Sequence, residues 1–457
     1  MYKTSLILAA GDGKRMKSET PKVMHKVCGY PLVKHVFNAV KTVSDDEPIV
    51  ITGRCGELLH NLFADDARYA EQTERRGTAH AVMCGQHYLK GKTGYVTITA
   101  GDMPMITGET FQKLVTTAIN NNMSACVLTA IVDNADGYGR IIRDMDGSVK
   151  GIVEHRDATD EQKAIREINT SIYCFNIADL LDSLTKVDSN NAQGELYLTD
   201  TLGILRAQGK KVGACVADDV TEAMGINDRV QLSQAEKMMR KRINENIMRQ
   251  GVTLIDPEST YIEAGVEIGS DTVIYAGNLI TGDTVIGKNC TLYPNNNIEN
   301  CVIGEGVTIN SSVMLNAKIG DGTSVGPYAY LRPETVVGNN ARIGDFVEIK
   351  KSEIGDGTKV SHLTYVGDAK IGKNCNMGCG TVFVNYDGKN KYKTIVGDHV
   401  FIGCNANLIA PLNIGDNSLI AAGSTVTEDV GDNDLCIARA RQTNKKGWVL
   451  NYKNWKQ

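Results

Sequence analysis

No apolar run in this chain approaches the ~20 residues that a membrane-crossing helix needs, and the opening stretch from Leu6 to Ala10 is too short for the core of a secretory leader. Neither a membrane span nor export is expected, so the chain is expected to be cytoplasmic. A basic excess is missing too. The net charge is -5 and no lysine- or arginine-rich tract carries interleaved aromatics, which argues against a nucleic-acid partner. The 12 cysteines show no paired metal spacing, Cys375 and Cys379 being the nearest approach to one; reduced thiols are expected, not disulfides or zinc. Proline is scarce, 9 residues against 46 glycines, so the many turns fall mainly to glycine.

At 457 residues the chain exceeds one ordinary core. Residues 1–227 alternate short apolar runs, such as Ser5 to Leu8, Pro48 to Ile51 and Tyr95 to Thr99, with helix-like stretches at Pro31 to Val43 and Gly77 to Leu89. That alternation predicts an α/β domain with a mostly parallel sheet and helices on both faces. Over 228–250 the spacing of Val230, Leu232, Ala235, Met238, Met239, Ile243 and Ile247 predicts one amphipathic linker helix, stopped by Gly251, with Arg240, Lys241, Arg242 and Arg249 on a solvated face.

Residues 251–457 carry a different signal. Aliphatic residues recur at every sixth position through Ile262, Ile268, Ile274, Ile280, Ile286, Leu292 and Ile298, and again from Ile319 to Ile349. After small slips the run resumes and ends at Val396, Ile402, Leu408, Ile414, Ile420 and Val426. Neither a helix nor an alternating strand has period six. The spacing predicts a prism in which three six-residue segments complete a coil, each supplying one inward aliphatic side chain. The register breaks at Asn385 to Lys391, a polar insertion suited to a binding loop or to a plain surface excursion.

Two constellations carry chemistry. After the first strand comes Leu8-Ala9-Ala10-Gly11-Asp12-Gly13-Lys14-Arg15-Met16, a turn whose glycines admit backbone N–H groups to phosphate and whose cations add charge. Such a turn is also common for structural reasons alone. Pro21-Lys22, Gln72, Gly77-Thr78 and Gly101-Asp102 follow near strand ends, where ligands collect. A carboxylate such as Asp102 suits Mg²⁺, which takes few protein ligands, and equally suits a helix cap. In the repeat region His362, in Ser361-His362-Leu363-Thr364-Tyr365, follows Glu348-Ile349-Lys350-Lys351 and precedes the Asn385-Tyr386 insertion. A histidine there can take a proton from an amine.

These segments, with Gly137-Tyr138-Gly139-Arg140, Glu154, Asn169-Thr170, Asn190-Asn191-Ala192-Gln193-Gly194-Glu195 and Asn227, resemble the bifunctional N-acetylglucosamine-1-phosphate uridyltransferase/glucosamine-1-phosphate N-acetyltransferase family along nearly the whole chain. The resemblance implies a Rossmann-like nucleotidyltransferase domain followed by a left-handed parallel β-helix. It implies synthesis of UDP-N-acetylglucosamine, a cell-envelope precursor, from UTP, acetyl-CoA and glucosamine-1-phosphate by way of N-acetylglucosamine-1-phosphate. In the first domain Leu8, Ala9, Ala10, Gly11, Gln72, Gly77 and Thr78 would contact the nucleotide, and Arg15 and Lys22 would counter phosphate charge. Gly139, Glu154 and Asn169 would hold the sugar; Asp102 and Asn227 would ligate Mg²⁺.

In the second domain the resemblance makes His362 the general base, oriented by Glu348. Arg332 and Lys350 would bind the sugar phosphate, and Tyr365, Asn376 and Asn385 the sugar. Tyr386, Cys379, Cys404, Ala422 and Arg439 map to acetyl-CoA contacts, with a backbone N–H near Cys379 as oxyanion donor. A homotrimer with acetyl-transfer sites between subunits is implied. The chain departs from the family in having Ala100 before Gly101, where an aromatic is frequent, and Cys379 and Cys404 in places of Ala and Ser. Residues alone leave open a nucleotidyltransferase whose β-helix only regulates or assembles, as in ADP-glucose pyrophosphorylase-like enzymes, and a binding scaffold.

Overall fold

A computed structural model describes residues 1–451 except Asp12 and Cys55; Asp12 and the Lys14 side chain, both in the glycine-rich turn, lie outside the described residues. The chain packs as two compact units, Met1–Met239 and Arg240–Gln457. Among the described residues no helix is long and apolar enough to cross a membrane.

The first unit is built on a twisted sheet in the order Val212–Val216, Ala125–Ile131, Glu167–Asn176, Gly94–Ala100, Tyr2–Leu8, Ile49–Thr52, Arg68–Glu71. Only Glu167–Asn176 runs antiparallel to its neighbours on this path, so the expected mostly parallel sheet is mixed at its centre. Strand residues alternate between two apolar layers: Leu6, Ile49 and Ile51 pack on one side, Ile7 and Val50 on the other. Both faces are therefore covered, as the unbroken apolar runs require. Helices occupy Leu32–Lys41 and Thr78–Gly85. The second is shorter than the predicted stretch because the chain tightens into a 3-10 turn at Gln86–Tyr88. Leu8 pairs with Ala100 in the ladder, so the glycine-rich turn and the Gly101-Asp102 turn leave the sheet side by side.

One helix spans Arg229–Arg249. Ala235, Met239 and Ile247 are buried, whereas Val230, expected on the apolar stripe, is exposed. Its basic side is not wholly solvated either, since the Arg240 guanidinium lies 4.2 Å from the centre of the Tyr261 ring.

In the second unit three parallel sheets of eleven, ten and nine short strands form the three faces of a prism. Up to the last coil each strand pairs with the third one after it, as Ile280 with Ile298 and Ile343 with Val360. The six-residue aliphatic positions form one continuous core, Ile268 alone among them being only partly buried. The gap in the periodicity after Ile298 is filled by Ile303, Ile309 and Met314, which keep the inward direction at slightly shorter intervals. Glycine and asparagine divide the corners. Gly287 follows the inward Ile286, and a Cβ there would sit 2.6 Å from the Gly304 carbonyl oxygen of the next coil. The left-handed corner residue is frequently asparagine, as at Asn289, Asn300, Asn340, Asn374, Asn405 and Asn417, the side chain that tolerates positive φ best after glycine.

Candidate active sites

In the first unit a cavity of about 330 Å³ opens at the strand ends, lined by Leu8, Ala10, Gly11, Gln72, Gly77 and Thr78 on one side and by Lys22 and Asp102 on the other. These are residues expected from the sequence to meet a nucleotide. Ala9, which the resemblance also sets against the nucleotide, has its side chain fully buried in the core, and its N–H donates to Ile51 O at 3.0 Å. Gln72 is buried and its amide donates to Gly77 O at 3.2 Å.

The Asn190-to-Glu195 segment braces this wall. Asn191 Oδ1 accepts from the N–H groups of Gln193 and Glu195, folding a turn that delivers Leu196 N–H to Arg76 O at 2.7 Å. Thr78 Oγ1 then accepts from Leu198 N–H at 2.9 Å.

Charge gathers at the far wall. Lys22 Nζ forms an ion pair with Asp102 and donates to Asn227 Oδ1 at 3.0 Å, while Arg15 Nη2 donates to the same oxygen at 2.8 Å. The backbone locks the two oxygen donors together, Ile226 N–H donating to Asp102 O at 2.9 Å. An acid and an amide oxygen thus converge on one cationic nitrogen. Nearby, Asn169 N–H donates to Gly139 O at 2.9 Å, its amide donates to Tyr173 OH at 2.8 Å, and a Cβ at Gly139 would lie 3.4 Å from Glu154 Oε2. Gly139, Glu154 and Asn169 therefore form one cluster. Burial, followed by the charges of Asp157 and Asp200, pushes the Glu154 carboxyl up.

In the second unit Glu348 and Tyr365 are register partners, as are Lys350 and Gly367. Arg332 Nη1 donates to Glu348 Oε1 at 2.9 Å, and that bond holds the guanidinium above its ordinary range. The expectation that Glu348 orients His362 is overturned: His362 Nδ1 lies 2.5 Å from Asp345 Oδ1 instead. A coil here is 17 residues long, so Asp345 stacks on His362 whereas Glu348 falls on the next face. Lys350 is held below its usual range chiefly by the adjacent Lys391 ammonium, with desolvation and Arg332 adding to it. Lys391, expected only as the end of the polar insertion and not among the site residues, comes here through that insertion, where Tyr386 and Lys391 form an antiparallel bridge. Tyr365 OH and Asn385 Nδ2 both crowd the Gly367 Cα, at 2.4 and 2.7 Å from where a Cβ would stand, and Asn385 donates to Asp368. Asn376 lies on the face of His362, one coil beyond Lys359.

A single corner continues from His362 through successive coils. His362 O accepts from Gly380 N–H, Cys379 O from Asn405 N–H, and Cys404 O from Gly423 N–H; a Cβ at Gly403 would press on Ala422, and one at Gly423 would meet Arg439. His362, Cys379, Cys404, Ala422 and Arg439 thus follow one edge. Tyr386 is exposed and donates to Gly388 O at 2.7 Å. The described cysteines carry no disulfide, and among the described residues no three His, Cys, Asp or Glu side chains cluster as a metal site.

Comparison with known proteins agrees with this two-unit construction. The family described as the MobA-like NTP transferase domain matches residues 5–138, the GMPPB C-terminal domain matches 316–410, and the bacterial transferase hexapeptide (six repeats) matches 393–428. The protein called bifunctional protein GlmU in Clostridium beijerinckii is 55% identical over 98% of each chain. Those of the same name in Clostridium acetobutylicum and Clostridium botulinum (strain 657 / Type Ba4) are 53% and 52% identical over the same share. With a Rossmann-like nucleotidyltransferase unit, a left-handed hexapeptide β-helix and this likeness over 98% of its length, the chain belongs to the bifunctional GlmU family.

Proposed function

We propose that the protein makes UDP-N-acetylglucosamine in two steps at two sites. The β-helix domain, 251–457, transfers acetyl from acetyl-CoA to the amine of glucosamine-1-phosphate. The domain of residues 1–227 joins N-acetylglucosamine-1-phosphate to UTP with release of pyrophosphate, and 228–250 connects them.

For acetyl transfer the carrying observation is the edge that runs from His362 past Cys379 and Cys404 to Ala422 and Arg439. An extended pantetheine chain suits such an edge, with its thioester beside the imidazole. Arg332, Lys350 and Lys391 form a cationic cluster on the neighbouring face, suited to the sugar phosphate; Tyr365, Asn376 and Asn385 supply polar contacts for the sugar, and the exposed Tyr386 of the insertion is assigned to the coenzyme by the family resemblance. The amine attacks the thioester carbon, His362 takes its proton, and the tetrahedral intermediate expels the CoA thiolate.

For uridylyl transfer the sugar phosphate oxygen bonds to the α-phosphorus of UTP as the bond to the β-phosphate breaks. No protein nucleophile is needed; position and charge carry the step. Leu8, Ala10, Gly11, Gln72, Gly77 and Thr78 shape the nucleotide cavity, Gly139, Glu154 and Asn169 the sugar side, and Arg15 and Lys22 neutralise phosphate. Asp102 and Asn227 fit Mg²⁺, since both present hard oxygen atoms that already converge on the Lys22 ammonium. Bound there, Mg²⁺ would offset the triphosphate charge and orient the α-phosphate.

A homotrimer is supported by an apolar ridge on one corner of the prism. Tyr328, Phe346 and Leu363 occupy successive coils, each with positive φ and each more than half exposed, and the first two rings stack at 5.5 Å. Bulky residues rarely accept that backbone conformation in order to face water. Incubation with glucosamine-1-phosphate and acetyl-CoA, following free CoA, tests the whole reading: no CoA release while UTP turnover persists would leave the β-helix a regulatory or assembly device.

A further inference from the structure

Two strands on one face of the prism are longer than those before them. Arg342–Asp345 and Lys359–His362 have four residues each, where Thr308–Ile309 and Ser324–Val325 have two. The extension brings Asp345 into register with His362. Gly344 permits it, because a Cβ there would lie 2.0 Å from Ser361 O and force the strands apart. Both backbones are pinned: Leu363 N–H donates to Asp345 O at 2.9 Å, and the Thr364 hydroxyl to His362 O at 2.7 Å. The carboxylate and the imidazole then meet at 2.5 Å, Oδ1 to Nδ1.

We propose that Asp345 is the positioning residue of the acetyl-transfer base, fixing the His362 tautomer and holding Nε2 toward the substrate amine. The proposal rests on the reading of His362 as that base. An ionised carboxylate only accepts hydrogen bonds, so the ring hydrogen resides on Nδ1 and Nε2 keeps its lone pair. As the amine nitrogen bonds to the thioester carbon, its proton passes to Nε2. The C–S electron pair then leaves with the CoA sulfur, and the imidazolium returns the proton to that thiolate or to water. Asp345 stabilises the imidazolium in between without taking a proton itself. The bond to His362 also keeps the Asp345 carboxyl below the usual carboxylate range. The other charged groups on the strands packed here are Arg342 on the strand of Asp345 and Lys359 on that of His362; Asn376–Met377, one coil on, carries none and is followed by the Cys379 thiol.

The test compares Asp345→Asn, Asp345→Ala and His362→Ala in the full chain, by CoA release across roughly pH 6 to 9, with UTP turnover and thermal unfolding as measures of folding. For Asp345→Ala the kcat of acetyl transfer is expected to fall about ten- to a hundredfold, and less for Asp345→Asn, which keeps an acceptor. KM for both substrates should stay within about twofold, since what is lost is the attraction of the carboxylate for an imidazolium that forms only as the amine gives up its proton. The acid limb of the kcat profile should move to lower pH, because the imidazolium has lost its anionic partner. An unchanged kcat and acid limb in both Asp345 variants, or a change confined to KM or to melting temperature, overturns the role of Asp345 when His362→Ala is inactive. Full acetyl transfer by His362→Ala would instead remove the base assignment, and this proposal with it.

Discussion

Arg332 and Glu348 hold each other at 2.9 Å on adjacent coils of one face, both side chains about two-fifths exposed. The carboxylate therefore orders the cation proposed to meet the sugar phosphate. Glu348→Gln is expected to raise KM for glucosamine-1-phosphate about two- to tenfold, as for the loss of a partly solvated charged hydrogen bond. The pH dependence of kcat should not move, and steady-state kinetics across pH read both.

The two chemistries are expected to separate by mutation. His362→Ala should lower acetyl transfer about 10²–10⁴-fold, the range of a positioned general base, with uridylyl transfer retained; Asp102→Ala should do the reverse. Parallel assays of CoA and pyrophosphate release decide. Loss of both activities by either folded variant would sink the two-site reading.

Lys391 depresses Lys350, so in the free enzyme Lys350 loses its proton, and its pull on a phosphate, at a lower pH than an isolated lysine would. Lys391→Gln should move the alkaline limb of kcat/KM for glucosamine-1-phosphate to higher pH while lowering its plateau, since one cation is gone. A profile measured from pH 7 upward shows both effects or neither.

Glu154 presents the opposite sign. Its carboxyl is raised by burial, so the folded state favours the neutral form and is penalised once pH exceeds the unfolded carboxyl's pKa. Glu154→Gln should raise the melting temperature of the free protein near neutral pH and leave it unchanged at about pH 4, at the expense of KM for N-acetylglucosamine-1-phosphate.

The ridge of Tyr328, Phe346 and Leu363 predicts a dependence on assembly. Phe346→Asp should yield a smaller species in light scattering and lose acetyl transfer, with UTP turnover intact. A variant still trimeric would place the interface elsewhere.

The prism was legible in the sequence because each coil must place an aliphatic residue inward at a fixed pitch, and Ile274, Leu292 and Ile343 obey it without exception. The gathering of Leu8, Gly11, Gln72 and Thr78 around one cavity was legible because its wall is a continuous turn and a few strand ends. Asp345 was not, since contact along the prism follows register and not proximity in sequence: Glu348 is nearer to His362 in the chain, yet pairs with Tyr365. Counting back one coil from His362 would have found Asp345. Lys391 was legible only as the end of a polar insertion, and not as a cation beside Lys350, because the insertion obeys no period at all.

The prism is also unevenly closed. Part-buried apolar residues occur at both ends, Val266 and Ile268 near the first coil and Val430 and Cys436 near the last, but the helix Arg229–Arg249 lays Ile247 on the first coil, whereas residues 439–450 beyond the last are all exposed. In a solenoid each coil leans only on its neighbours, so local opening is cheapest where such support is thinnest. Fraying from the last coils loosens Arg439, Ala422 and Cys404 before it reaches His362 or Arg332. If these residues serve as proposed, warming should weaken the grip on coenzyme at temperatures where the sugar phosphate is still held, giving the enzyme an order of failure written by the direction of its coils.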